Sequence, residues 1–221
     1  MEAKKHYEKY WNSKKSQEQF FGYERNWLLP EFFQKGEYVL DLGAGDGAVA
    51  EYLQNNVGAT VEGFDISEKA ASVAKKRGIK VTVGDVEKKL PYKDKTFDVV
   101  FWGDNVEHLF EPEKTLLEIK RILKPKGRLV ISCPNLGYWR YRLHFLIHGS
   151  LPDTEWSGNK PWGWSHIRFF NPTIMKAFLR SNGFSIGRID GVNKRFIDKY
   201  LAKNSPDLFG MIMLVEASKN G

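Results

Sequence analysis

With 221 residues, 42% hydrophobic and 28% charged, the chain has the composition of a globular protein with one sizeable core, and apolar runs such as Val99 to Trp102 or Met211 to Val215 are far too short to span a bilayer. Cys133 is the only cysteine, which excludes an internal disulfide and any multi-cysteine metal site; closing the apolar run from Leu129, it reads as a buried strand thiol. A net charge of +7 invites an anionic partner, yet lysines alternate with glutamates along Glu68 to Arg77 and Glu113 to Lys126 as on solvated helix faces, so nucleic acid is not the expected ligand; the denser groups Arg140/Arg142 and Lys194/Arg195/Lys199 are candidates to line an acidic-substrate site.

The start, Met1 to Tyr7, is basic but has no apolar run behind it, so no secretory leader is expected and the cytoplasm is the expected location. Residues 3 to 34 read as helical and aromatic-rich, with Tyr7, Tyr10 and Trp11 placed to form a lid or simply to pack the first helix. From Tyr38 the pattern changes. Tyr38-Val39-Leu40 is a short strand ending in Asp41, followed by a glycine loop and a helix from Ala48 to Asn56. Thr60 to Phe64 is a second strand, and Ser67 can cap a helix from Glu68 to Arg77 that Gly78 ends. Ile79 to Val83 and Phe97 to Phe101 are further strands; Pro112 suits the first turn of a helix to Leu123, and Lys126-Gly127 turns into the strand Arg128 to Ser132. Strands alternating with helices predict an α/β fold, a mostly parallel, doubly wound sheet whose ligands gather at the strands' carboxyl ends.

Residues 134 to 170 break the rhythm. Four of the seven tryptophans, Trp139, Trp156, Trp162 and Trp164, fall among prolines, which suggests an ordered insertion over the sheet end with a helix near Tyr138 to His148. After it come a helix from Pro172 to Ser181 and two strands, Phe184 to Ile189 and Met211 to Ala217, expected as an antiparallel hairpin at a sheet edge.

The glycine loop, Asp41-Leu42-Gly43-Ala44-Gly45-Asp46-Gly47, lets the backbone pass close to a ligand. Its spacing also fits a dinucleotide fingerprint, and Asp65 stands where an acid meets ribose hydroxyls in either case. The surrounding acids favour a different ligand. Asp41 precedes the glycines, Asp46 adds charge, Asp85 follows the third strand, and no basic residue lies in the loop. A positively charged cofactor without phosphate suits that crevice.

Val39 to Gly47, Gly63-Phe64-Asp65, Gly84-Asp85-Val86, Phe97 to Leu109 and Arg121 to Gly127 resemble, in order, the motifs of class I S-adenosylmethionine-dependent methyltransferases. The resemblance implies a Rossmann-like, seven-stranded sheet of order 3-2-1-4-5-7-6 with strand 7 antiparallel. It also implies S-adenosylmethionine as cofactor, with Asp41 and the loop glycines Gly43 and Gly45 at its methionine part, Asp65 at the ribose and Asp85 with Val86 at the adenine, and Ala44, Ile66, Gly84 and Gly103 as further cofactor-binding residues. On this basis the chain divides into a helical cap (residues 1–36), a cofactor-binding core (37–133), a substrate-side insertion (134–170) and a C-terminal helix with an edge hairpin (171–221) of a single domain.

Asp104-Asn105-Val106-Glu107-His108 is similar to the Glu-x-x-Glu-His site of ubiquinone-biosynthesis O-methyltransferases, which hold a divalent metal there. Asp104, Glu107 and His108, with His166 as a fourth group, are thus candidate ligands, against a loop-shaping role without metal. Cys133-Pro134-Asn135-Leu136-Gly137-Tyr138-Trp139 and the residues to Pro152 resemble the MetW-like branch. The expected activity is methylation of a small-molecule acceptor, with oxygen the acceptor atom and His108 or His166 taking its proton. Trp139, Trp162, Trp164 and Arg168 are candidates for the acceptor pocket, with aromatic packing as the alternative. A cofactor-binding partner of a methionine-biosynthesis enzyme and an RNA methyltransferase are the rival functions. The oligomeric state is not readable.

Overall fold

The computed structural model describes residues 2–13, 24–154 and 166–220. Helix α1 (Glu2–Ser13) is followed by two tight 3₁₀ turns, Glu24–Trp27 and Leu29–Phe32, the second with Pro30 in its first turn, so residues 24–32 are not the α-helix that aromatic density suggested. Strands β1 (Tyr38–Leu42), β2 (Thr60–Asp65) and β3 (Lys80–Val83) pair in parallel on one side, with α2 (Ala48–Tyr52) and α3 (Glu68–Lys76) between them. The helix expected to reach Asn56 widens after Tyr52 into a π turn, Leu53–Val57, closed by Gly58. Ser67 caps α3 as its sequence suggests, its Oγ accepting from Ala70 N at 3.1 Å.

The chain then crosses to the other side of β1. Strand β4 (Phe97–Gly103) pairs with it in parallel, helix α4 (Pro112–Ile122) follows, and β5 (Leu123–Pro134) lies alongside β4. The register jumps from Phe97↔Leu123 to Val99↔Arg128, so the expected turn at Lys126-Gly127 is a bulge within β5, with Lys126 at φ +66°. Helix α5 (Trp139–His148), helix α6 (Pro172–Ser181) and strand β6 (Phe184–Val192) come next. Helices α7 (Phe196–Asn204) and α8 (Pro206–Phe209) then separate β6 from β7 (Ile212–Lys219), which inserts antiparallel between β5 and β6. The sheet order is β3-β2-β1-β4-β5-β7-β6, as the resemblance implied. The expected edge hairpin is an antiparallel pair with two helices in its connection. Nothing in the polar segment from Asn193 to Gly210 alternates as a strand would, and its apolar positions serve the helices instead.

Both faces of the sheet are covered. Along β4, Val100 and Trp102 enter one apolar cluster while Val99 and Phe101 enter the other, which is the alternation that a parallel sheet sandwiched between helices requires. Cys133 is buried in the first cluster, as expected of a strand thiol.

The reversal of strand order between β1 and β4 opens a crevice at the strands' carboxyl ends. Asn135 ties that end together. Fully buried, its Nδ2 donates to the carbonyls of Pro206, Asp207 and Gly210 (3.2, 3.1 and 2.8 Å) and its Oδ1 accepts from Gly137 N at 2.8 Å. The Pro-Asn-x-Gly stretch therefore fastens the end of β5 to α8. Asn135→Ala removes four hydrogen bonds at once, among them those to the buried Gly210 carbonyl and Gly137 N–H, so it should destabilise the protein by about 1–3 kcal/mol, read as a lower denaturant midpoint at unchanged slope.

Candidate active site

Asp41, the penultimate residue of β1, has 2% of its surface exposed, and its Oδ2 has no hydrogen-bond partner within the protein. Burial raises its pKa to about 7; the Arg25 guanidinium pulls the other way, and Asp65 and Asp46 add to the rise. Arg25 is the residue that sequence inspection passed over. It reaches the crevice from the first 3₁₀ turn, is 7% exposed, and forms an ion pair with Asp104. Nothing in Glu24-Arg25-Asn26 marks it among 34 lysines and arginines.

The loop after Asp41 rises in left-handed backbone at Gly43 (φ +86°) and Gly45 (φ +54°), where a side chain is strained. Gly43 and Ala44 donate to Phe64 O at 2.8 and 3.1 Å, locking the loop over β2. A Cβ at Gly45 would stand 2.8 Å from the Trp11 ring, which places α1 directly over the loop. Lys4 pairs with Glu68 at 2.6 Å and Glu8 accepts from Glu68 N at 2.6 Å, fixing α1 to the start of α3. Of the two readings of Tyr7, Tyr10 and Trp11, the geometry agrees with a cover over the crevice for Trp11 and Tyr7, whose ring meets His108 edge-on at 6.3 Å.

Asp65 ends β2, and its carboxylate accepts from Gly45 N and Ser67 N, both at 2.8 Å. Burial raises its pKa while the backbone N–H groups oppose the rise. Ile66 follows it, half-buried. Asp85, after β3, is half-buried with Oδ1 accepting from Glu87 N at 2.9 Å, between Gly84 and buried Val86. Asp41, Asp65 and Asp85 thus lie at the carboxyl ends of three adjacent strands. Asp46 does not belong with them: its carboxylate is bound to Arg77 at 3.1 Å and to Ala48 N at 3.3 Å, which commits it to the start of α2.

Gly103 ends β4, and beyond it Asp104 takes φ +46°. Its carboxylate is held by Arg25 and by Ser132 Oγ at 2.8 Å. The 3₁₀ turn Val106–His108 follows, and there Glu107, His108 and His166 bring one ligand atom each within 4.8 Å of the others. Asp104 is not in this group, a correction to the ligand set expected from Asp-x-x-Glu-His, because its oxygens already serve Arg25 and Ser132. The His108 and His166 rings meet edge to face at 4.7 Å, and His166 Nε2 lies 3.9 Å from Glu107 Oε1. Thr154 Oγ1 sits 2.7 Å from His166 Nδ1, a partner that no sequence spacing signalled.

Ile167 N and Arg168 N both donate to the Glu107 carbonyl, at 2.9 and 3.0 Å. Arg168 further donates from Nε to Leu109 O at 3.3 Å and from Nη2 to Phe110 O, so its guanidinium clamps the loop after β4. Trp139 is bonded through Nε1 to Asp198 at 3.2 Å and stacked under Arg140 at 4.4 Å. The two described candidates for the acceptor pocket, Trp139 and Arg168, thus have structural partners. Trp162 and Trp164 lie outside the described residues. A cavity of about 10 Å³ opens between Glu107, Thr154, His166 and Phe170, room for about one water molecule.

The sheet order, the glycine cradle between β1 and β2 and the acids at successive strand ends define a class I S-adenosylmethionine-dependent methyltransferase fold. A family model described as methionine biosynthesis protein MetW matches residues 25–215, and the chain belongs to that family. The chain is also 30% identical over 186 residues to a demethylmenaquinone methyltransferase of Lactobacillus johnsonii, covering 74% of this chain and 75% of that protein. It is 29% identical over 183 residues to a ubiquinone biosynthesis O-methyltransferase of Azoarcus sp., covering 80% and 76%. A solved S-adenosylmethionine-dependent methyltransferase from Aquifex aeolicus superposes with a TM-score of 0.61 at 25% identity, covering 89% of this chain and 90% of that one. Other similarity is partial: the chain spans 18%, 29% and 42% of the length of three further curated relatives. Among the described residues, no helix is long and apolar enough to cross a membrane.

The residues present fit the cofactor that this family implies. The orphaned oxygen of Asp41, at the start of the glycine loop, is a suitable acceptor for an ammonium group, and a Cβ at Gly43 or Gly45 would press on the Asn105 or Trp11 side chain. Because the folded protein holds the Asp41 proton to about pH 7, against an ordinary value of 3.8, this group favours folding most below pH 4; its contribution declines as pH rises through 7. Asp41→Asn should remove that decline. Above pH 8 the ligand-free variant should be more stable than the wild type by roughly 1–3 kcal/mol in thermal denaturation. By calorimetry it should bind S-adenosylmethionine at least about tenfold more weakly, a loss of about 1.4 kcal/mol.

Proposed function

We propose that the chain transfers a methyl group from S-adenosylmethionine to a hydroxyl of a small molecule, with Glu107, His108 and His166 at the acceptor end. The observation that carries this reading is the pair of histidine rings, contributed by two segments and 4.7 Å apart, beside a buried carboxylate and next to Gly103 at the end of β4. Similarity to an O-methyltransferase supports oxygen as acceptor. A cytoplasmic setting belongs to the same proposal.

Bound, S-adenosylmethionine supplies a methyl group on a sulfonium, an electrophile with a good leaving group. Asp41 would hold its ammonium group, Asp65 and Ile66 the ribose, and Asp85 and Val86 the adenine. The protein's share is then alignment, worth on the order of 7–11 kcal/mol in favourable cases, and removal of the acceptor's proton. A neutral histidine nitrogen facing the acceptor takes that proton, Glu107 stabilises the imidazolium formed, and Thr154 fixes the orientation of His166 through Nδ1. Trp11 and Tyr7 on α1 keep water from the crevice.

A second reading draws on the 4.8 Å grouping of Glu107, His108 and His166, a donor set suited to a divalent cation. Calorimetry with magnesium, manganese and zinc, with S-adenosylhomocysteine present, separates the two. No heat above dilution supports the proton-transfer reading; saturable binding lost in His166→Ala supports the metal.

Incubation with methyl-labelled donor and a fractionated extract should yield a labelled small molecule. With that acceptor, His108→Ala and His166→Ala together should lower kcat about 10²–10⁴-fold while leaving the affinity for S-adenosylhomocysteine within about threefold. Unchanged turnover in the double variant would sink the assignment of these histidines.

A further inference from the structure

Helix α5 starts inside the protein and ends outside it. Its base is fixed: Tyr138 OH and Trp139 Nε1 both donate to the buried carboxylate of Asp198 on α7, and Tyr141 is buried against them. Its last two turns carry Leu143, Phe145, Leu146 and Ile147 with 44%, 54%, 81% and 64% of their surfaces exposed. Three of these are consecutive, so the exposed tip has apolar side chains pointing in several directions. A helix with apolar groups around its circumference is ordinarily covered by something.

Charge decides what covers it. Residues 134–152 contain no aspartate or glutamate, while Arg140 and Arg142 lie on α5 itself, Arg140 reaching Asp198 at 3.4 Å. Adjoining α7 exposes Ile197 together with Arg195, Lys199 and Lys203, its one acid, Asp198, being buried. A second copy of this chain, of net charge +7, would set these cations against each other. An anionic bilayer satisfies both features at once, since apolar tips enter the headgroup region and cations remain at its charged surface.

We infer that the α5 tip docks on an anionic lipid surface, with Leu146 and Ile147 as the inserting residues. The helix leaves β5 through Pro134 and Leu136, which line the small cavity with Glu107 and His166, so docking presents the acceptor end of the crevice to the membrane. The inference rests on α5 and its surroundings and stands whether or not methyl transfer is the activity.

Sedimentation of the full chain with unilamellar vesicles tests it, using equal parts phosphatidylglycerol and phosphatidylcholine against phosphatidylcholine alone. The wild type should sediment with the anionic vesicles, and partitioning should fall at least roughly tenfold in high salt. Leu146→Glu with Ile147→Glu should abolish binding at an unchanged thermal midpoint. Leu117→Glu, an equally apolar exposed position on α4, should leave it intact. Failure of the wild type to sediment with anionic vesicles overturns the inference, as does binding indifferent to the double variant. So does a dimer, seen by sedimentation equilibrium, that the double variant breaks in a protein that ignores vesicles.

Discussion

A carboxylate buried at the end of the central strand is the constraint around which this end of the molecule is arranged. Asp41 cannot be solvated where β1 stops, so its charge must be met by the protein or by a ligand. Arg25 meets part of it from the N-terminal turns, and Asp104 ties Arg25 down from the end of β4. Asp104 stands in left-handed backbone (φ +46°) just before the turn that carries Glu107 and His108, which group with His166. One buried guanidinium thereby lies against acids at the ends of two neighbouring strands, β1 and β4.

The acceptor side is assembled from distant parts of the chain. The Glu107 carbonyl accepts two backbone N–H groups from the 166–168 segment, and Arg168 returns two hydrogen bonds to the loop after β4. His166 is consequently placed by backbone bonding, with its ring set by Thr154. The cover comes from the opposite end of the chain, where α1 rests its aromatic residues on Gly45 and His108. Three segments far apart in sequence therefore meet at a point no side chain reaches alone.

The sheet was legible because parallel strands buried on both faces are nearly continuous apolar runs, and each was punctuated by a glycine, a proline or a capping serine. The bulge at Lys124 to Gly127 and the helices between β6 and β7 were not. A bulge depends on the register of a neighbouring strand, and short helices in a polar segment carry a weak periodic signal. The partner of Asp46 was hidden for a related reason. Its position in the glycine loop is the same whether its carboxylate faces a ligand or Arg77, and only packing shows that it faces Arg77.

The order of elements, the glycine loop with its successive acids and hence the cofactor class could be read from residue order, because these depend on local backbone freedom and on residue type at strand ends. Tertiary structure alone decided which charges meet. It placed Arg25 beside Asp41, took Asp104 away from Glu107 and His108, brought His166 to them, and left the α5 tip in solvent. Electrostatic partners and exposure are properties of three-dimensional neighbourhood, and no spacing along the chain encodes a neighbour that lies some 80 residues away, as Asp104 does from Arg25.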